Sequence, residues 1–220
     1  MFTHVKVVGR GRVGSAINAR LEARGLTAGT DDDADLVLLC VPDQAIGDVA
    51  GRLPLGSWVA HVSGATPLTS LAPHTQRFGL HPLQTFTRSR GAEQLDGAWA
   101  AVTAENEEAR VRAWWLADRL GLRAFDLRDE KRVLYHAGAA MASNFLVALH
   151  RAASCLLERA GAPPEALLPL MRRTMENGFD LTGPIARGDW STVDAHLAAI
   201  RSDAPELEPL YRALAEVIRT

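Results

Sequence analysis

Apolar residues follow two rhythms along this chain. In the first part they come in short runs, each followed by a stretch with a spacing near 3.6. Residues 5–8, Val-Lys-Val-Val, are a β-branched run that stops at Gly9. Val13, Ile17 and Leu21 then recur at helical spacing. Residues 26–30 predict a short second strand. Residues 36–41, Leu-Val-Leu-Leu-Cys-Val, are unbroken apolar, as in a strand covered on both faces. Pro42-Asp43 ends that run, with Asp43 placed to cap a helix over 44–53. Further strands are predicted over 57–62, 77–80, 98–103 and 122–125. A short helix is predicted over 68–72 and an amphipathic one over 105–120, stopped by Gly121. Such alternation implies a doubly wound parallel sheet.

The second rhythm begins near residue 129. From there to 160 no Pro occurs, and Gly138 is the lone glycine. Apolar residues at 133, 134, 137, 140, 141, 145, 148, 149, 152, 156 and 157 predict one helix, about 48 Å long at 1.5 Å per residue. It is apolar around much of its circumference, so it is expected to lie buried among neighbours. Gly161-Ala-Pro-Pro164 ends it. Helices follow over 164–177, with Pro169 a possible kink, and over 191–201 and 205–219. The fold class is therefore α/β: a doubly wound domain over 1–127, then an all-α domain over 128–220.

Gly9-Arg10-Gly11-Arg12-Val13-Gly14 has the spacing G-x-G-x-x-G, directly after a strand and opening a helix. In a dinucleotide-binding (Rossmann) turn the first glycine makes the bend, the second admits a pyrophosphate and the third lets helix and strand pack. The helix N-terminus supplies free N–H groups and positive dipole. The expected cofactor is NAD(P). Asp31 stands 20 residues after Gly11, where it suits a ribose hydroxyl, while Arg10 or Arg12 could serve a 2′-phosphate, so NAD and NADP both remain open. Val41, Pro42, Ser63 and Gly64 fall at the ends of the next strands, the edge where such sheets bind ligands.

The balance of charge narrows the partners. Among 220 residues there are 24 basic and 26 acidic ones, a net charge of −2. That offers no footprint for nucleic acid. No uninterrupted apolar run reaches about 18 residues, so no membrane span is expected. The strand at the N-terminus argues against a leader peptide. Cys40 and Cys155 sit in apolar runs, as small hydrophobes of a reducing, cytoplasmic compartment. The seven histidines lack partners at ligand spacing, so no structural metal is expected.

Hydride transfer needs a proton donor or acceptor beside the reacting atom, and histidine suits that task. His81 stands at a strand end before Pro82. His136 lies on the long helix, with Ser143 and Asn144 two turns further on. These four are the catalytic candidates. Lysine is scarce, with Lys6 and Lys131 alone, and Lys131 falls in an exposed first turn. Thr182-Gly183-Pro184, with Arg187 and Asp189, reads as an anion site or as a plain interhelical connection.

Several segments occur in an order that resembles a known family: Gly9 to Gly14, Val41-Pro-Asp43, Val62-Ser-Gly64, His81-Pro-Leu-Gln-Thr-Phe86, Tyr135-His-Ala-Gly-Ala-Ala-Met-Ala-Ser-Asn-Phe145 and Thr182-Gly-Pro-Ile-Ala-Arg-Gly-Asp189. The chain is similar to bacterial Rossmann-like proteins carrying domain of unknown function 2520, within the 6-phosphogluconate dehydrogenase-like superfamily that includes ketopantoate reductase. The resemblance implies a nicotinamide cofactor at the glycine turn, a substrate cleft between the domains and a homodimer through the C-terminal helices. Relatives place a lysine four residues before the asparagine that Asn144 matches. Here position 140 is Ala, so that lysine chemistry is not supported. Two functions follow. One is an oxidoreductase moving a hydride to or from a small, anionic keto, hydroxy or imine substrate. The other is a non-catalytic nicotinamide-nucleotide sensor.

Overall fold

The computed structural model describes residues 1–27 and 34–219. Six strands form one sheet in sequence order: β1 (Val5–Val8), β2 (Leu36–Leu39), β3 (Trp58–His61), β4 (Arg77–Leu83), β5 (Trp99–Ala104) and β6 (Arg123–Asp126). Neighbours are parallel except β4 and β5, which run antiparallel. The doubly wound parallel sheet that the alternation implies is present, apart from this one pair. The difference has a local cause: the β4–β5 connection holds only the 3₁₀ turn Ala92–Leu95, so no helix carries the chain back across the sheet.

Val5 has partners on both edges. It bridges Thr27 in parallel, donating to the Leu26 carbonyl at 2.7 Å, and it pairs with Leu36 of β2 on the other side. The chain thus leaves β1 to one side and resumes on the other. That reversal opens a crevice beyond the carboxyl ends of β1 and β2. The rest of the expected second strand, with Asp31, lies outside the described residues.

Period-two alternation assigns the two faces of the sheet. Leu36, Leu38, Ala60, Phe78, Leu80 and Val102 pack against α1 (Arg12–Ala23) and α3 (Glu107–Leu120), through Ile17, Leu21, Ala113 and Leu116. Val37, Leu39 and Val59 pack on the other face against α2 (Ile46–Ala50) and the 3₁₀ turn Leu68–Leu71. Each such Leu, Ile, Val or Phe side chain contributes about 1.5–3 kcal/mol by leaving water. Asn106 caps α3 by accepting from the Ala109 N–H at 2.9 Å, and Gly121 ends it at φ +82°. Asp43 does not cap the next helix, because the 3₁₀ turn Asp43–Ala45 starts at Asp43 itself.

After β6 the chain is helical: α4 (Arg132–Ala140), a π-helical turn at Met141–Phe145, α5 (Leu146–Arg159), α6 (Leu167–Glu176), α7 (Trp190–Asp203) and α8 (Glu208–Arg219). Pro169 does not kink α6. It sits in the first turn, where helix N–H groups lack partners anyway. Asp189 caps α7, accepting from the Thr192 N–H at 3.2 Å. The chain divides into two compact units, Met1–Met141 and Ala142–Thr220. Within the second, Leu167, Val193, Leu197, Ile200 and Ala204 are buried.

The long helical run departs from expectation. From Arg132 to Arg159 Arg132 alone is buried, whereas Leu134, Met141, Phe145 and Leu149 are exposed. The run Asp129–Arg159 is also long and apolar enough to cross a membrane, by length and composition. Counting uninterrupted apolar residues missed it, because polar residues are spaced along it. Cys40 and Cys155 are half-buried and free.

The glycines of the opening turn separate by their surroundings. A Cβ on Gly9 would meet the Cys40 carbonyl at 2.4 Å, and one on Gly14 would meet the Gly9 carbonyl at 2.0 Å. A Cβ on Gly11 would meet nothing within 4 Å. Gly14→Ala is therefore expected to lose about 2 kcal/mol or more of stability in urea unfolding. Gly11→Ala should stay within about 0.5 kcal/mol of the wild type.

Candidate active-site groove

A groove of about 400 Å³ runs over the carboxyl edge of β1 to β4. It is lined by Gly11, Arg12, Val13, Cys40, Val41, Pro42, Asp43, Val62, Ser63, Gly64, His81 and His136. At one end lies the N-terminus of α1. Gly11 is its N-cap residue, no side chain caps it, and no acidic residue stands in its first turn. The free N–H groups of that turn thus have no partner from a capping side chain. At the other end lie two imidazoles.

Register explains how they meet. His61 pairs with Gly79, Gly79 with Thr103, and His81 with Ala101, which puts all of them on the face of Val59. Gly79 and Ala101 leave room above the sheet, and the first turns of α4 fill it. Arg132 drops toward Gly79, where a Cβ would stand 2.8 Å from its Nη1. Tyr135 reaches His81, sharing a 2.8 Å hydrogen bond with Nδ1, and packs edge-on against Phe125. His136 lies edge-on to His81 with ring centroids 5.9 Å apart. Gly64 fits beneath both: a Cβ there would come within 2.5 Å of His136 Cδ2 and 3.0 Å of His81 Nε2.

Burial sets the charge state. Desolvation holds His81 down to about 4, helped by His136 and Arg132 and opposed by Asp43. The fully buried His61 is held down to about 3, first by desolvation and then by the Arg132 charge. Burial pushes the Tyr135 phenol up to about 12 and the Cys40 thiol also to about 12, so both stay protonated near neutrality. Cys40 is thus wall rather than nucleophile.

Of the residues singled out by sequence, His81, His136, Gly11, Arg12, Val13, Val41, Pro42, Ser63 and Gly64 line this groove. Gly9 and Gly14 shape the turn behind it, and Arg10 is exposed beside it. Ser143 and Asn144 belong to the second unit, on its π-helical turn, a feature that recurs at functional sites. The sequence pattern did not single out Arg132, and it assigned no role of their own to Tyr135, which opens one of the family segments, or to His61, which ends β3. A glycine inside β4 was the available signal, since it marks a close approach of something else. Among the described residues, no cluster of His, Cys, Asp and Glu could hold a metal ion.

His61 and His81 stay neutral in the folded chain and take up protons on unfolding, near the ordinary value of 6.5. The unfolded state then binds more protons, so stability is full above about pH 6.5 and falls as pH drops toward 4. The slope is at most about 1.4 kcal/mol per pH unit for each histidine. Urea midpoints between pH 7.5 and 5 should show the decline, and His61→Leu should flatten it. Parallel profiles for the two proteins would contradict this assignment.

Known structures share the fold. BF3122 from Bacteroides fragilis, whose name assigns it to the NADP oxidoreductases, matches at 21% identity with TM-score 0.79, covering 99% of this chain and 98% of that one. Protein TM1727 from Thermotoga maritima matches at 24% identity with TM-score 0.79, covering 98% and 96%. An imine reductase from Aspergillus terreus, solved with its nucleotide, matches at 15% identity with TM-score 0.66, covering 98% and 95%. No curated protein matches. Residues 98–218 match the family model of DUF2520, a domain of unknown function, and that span exceeds half of the 220 residues. The chain belongs to the DUF2520 family.

Proposed function

We propose that this protein is an NAD(P)-dependent oxidoreductase acting on a small, anionic keto, hydroxy or imine substrate. One observation carries the reading: Gly11 is the glycine of the turn that the chain's own packing does not require. Its Cα faces open space, at the uncapped end of α1, in the crevice where the sheet reverses direction. Names of similar folds support the reading, since they include an NADP oxidoreductase and an imine reductase.

The residues present fit a dinucleotide. The amides of 11–14 would hold its diphosphate, and Val41, Pro42, Ser63 and Gly64 would flank the remainder. When bound, the nicotinamide supplies or accepts the hydride. His136 gives or takes the accompanying proton from its place in the groove wall. His81 is neutral and serves as a hydrogen-bonding imidazole, oriented by Tyr135. A second reading, a nucleotide sensor without turnover, is favoured by Ala140 where relatives carry a lysine.

Calorimetry with NADP⁺ and NAD⁺ tests the cofactor. Wild type should bind at least one of them, and Gly11→Ala should weaken binding about tenfold or more, near 1.4 kcal/mol. Across 2-keto acids, 3-hydroxy acids and cyclic imines, His136→Ala should abolish turnover while leaving nucleotide affinity intact. Binding without turnover by wild type across that panel selects the sensor instead.

A second copy of the chain covers the exposed helix in this proposal. Leu134, Met141, Phe145 and Leu149 are large apolar residues left exposed, more than a soluble monomer usually leaves in water. Sedimentation should give a dimer for wild type and a monomer for Leu134→Glu. A wild-type monomer, or one that floats with lipid vesicles, would rule the dimer out.

A further inference from the structure

Arg132 is the largest fully buried side chain among the described residues, and it lies directly beneath the groove. Its Nη1 donates to the Thr103 hydroxyl at 2.7 Å, and Thr103 in turn donates to the Leu127 carbonyl at 2.8 Å. Its Nη2 donates to the carbonyl of Ser63. Asp129, whose carboxylate accepts from the Leu68 N–H, stands 4.0 Å from its Nε. Gly79 is hollowed to receive it. A buried guanidinium is costly unless it is paired and hydrogen-bonded. An exposed arginine would avoid that cost, so its burial calls for a reason.

The reason lies in what it joins. Ser63 precedes Gly64, the residue on which both imidazoles rest, while Tyr135 and His136 follow Arg132 by three and four residues on the same face of α4. We propose that Arg132 is the positioning residue of this site: its guanidinium ties the Ser63–Gly64 peptide to the first turn of α4 and so fixes His81 and His136 over Gly64. This rests on the oxidoreductase reading for its purpose, and on geometry alone for its existence. Lysine has no second donor in fixed register and would keep the charge while losing the fork.

The groups facing His81 are Arg132, Tyr135 and His136 on α4, His61 on β3 and Asp43 after β2. Removing the guanidinium therefore acts on His81 through charge as well as position. Proton NMR on the nucleotide-free protein reads both, by the His81 titration and by Overhauser contacts from the Gly64 Hα to the two rings. In Arg132→Met the His81 midpoint should move up toward the ordinary histidine range and both contacts should be lost. Arg132→Lys should restore the low midpoint but not both contacts. An Arg132→Met protein that keeps the wild-type midpoint and both contacts overturns the proposal. Should that variant not fold, Thr103→Val removes one acceptor only, and there weakened contacts support the proposal while unchanged contacts overturn it. A wild type that binds neither pyridine nucleotide would defeat the functional reading and leave this result standing.

Discussion

Close backbone approach at the end of β1 sets the geometry of everything around it. The Gly9 carbonyl, the Gly14 Cα and the Cys40 peptide occupy space that no Cβ could share. That contact pulls the start of α1 down between β1 and β2, and it aims the helix N-terminus along the groove. Because Gly9 and Gly14 are spent on packing, Gly11 stands apart as a residue with space around it. It is this asymmetry, more than the three-glycine spacing, that leaves room for a ligand at the head of α1.

At the far end of the groove a different constraint operates. Small residues at 79 and 101 let one helical turn approach the sheet, and that turn brings Arg132, Tyr135 and His136 together. The groove thus combines an open end at the head of α1 with a desolvated imidazole end. Desolvation keeps His81 uncharged near neutrality.

Much of this was legible in the sequence. Local signals, such as Gly121 after an amphipathic run or the β-branched residues before Gly9, act over a few residues and produce the expected elements. The antiparallel β4–β5 pair was not legible, because direction depends on whether a connection holds a helix, and 84–98 carries no strong period. Arg132 was passed over for a related reason. A charged residue in a first helical turn reads as solvated, and its burial follows from Ser63, Gly79 and Thr103, which are far away in sequence. The exposed apolar residues of α4 and of α5 show the converse: periodicity reports that a face is apolar, not whether its own chain covers it.

The central claim is that backbone amides at the head of α1 receive a dinucleotide diphosphate. Amide chemical shifts recorded while NADP⁺ or NAD⁺ is added test it most directly. The account predicts shifts centred on Gly11, Arg12, Val13 and Gly14, with a second group at Val41, Asp43 and Gly64. Shifts confined to the crevice lined by Val102, Asn106 and Asp126, or none at saturating nucleotide, would contradict it.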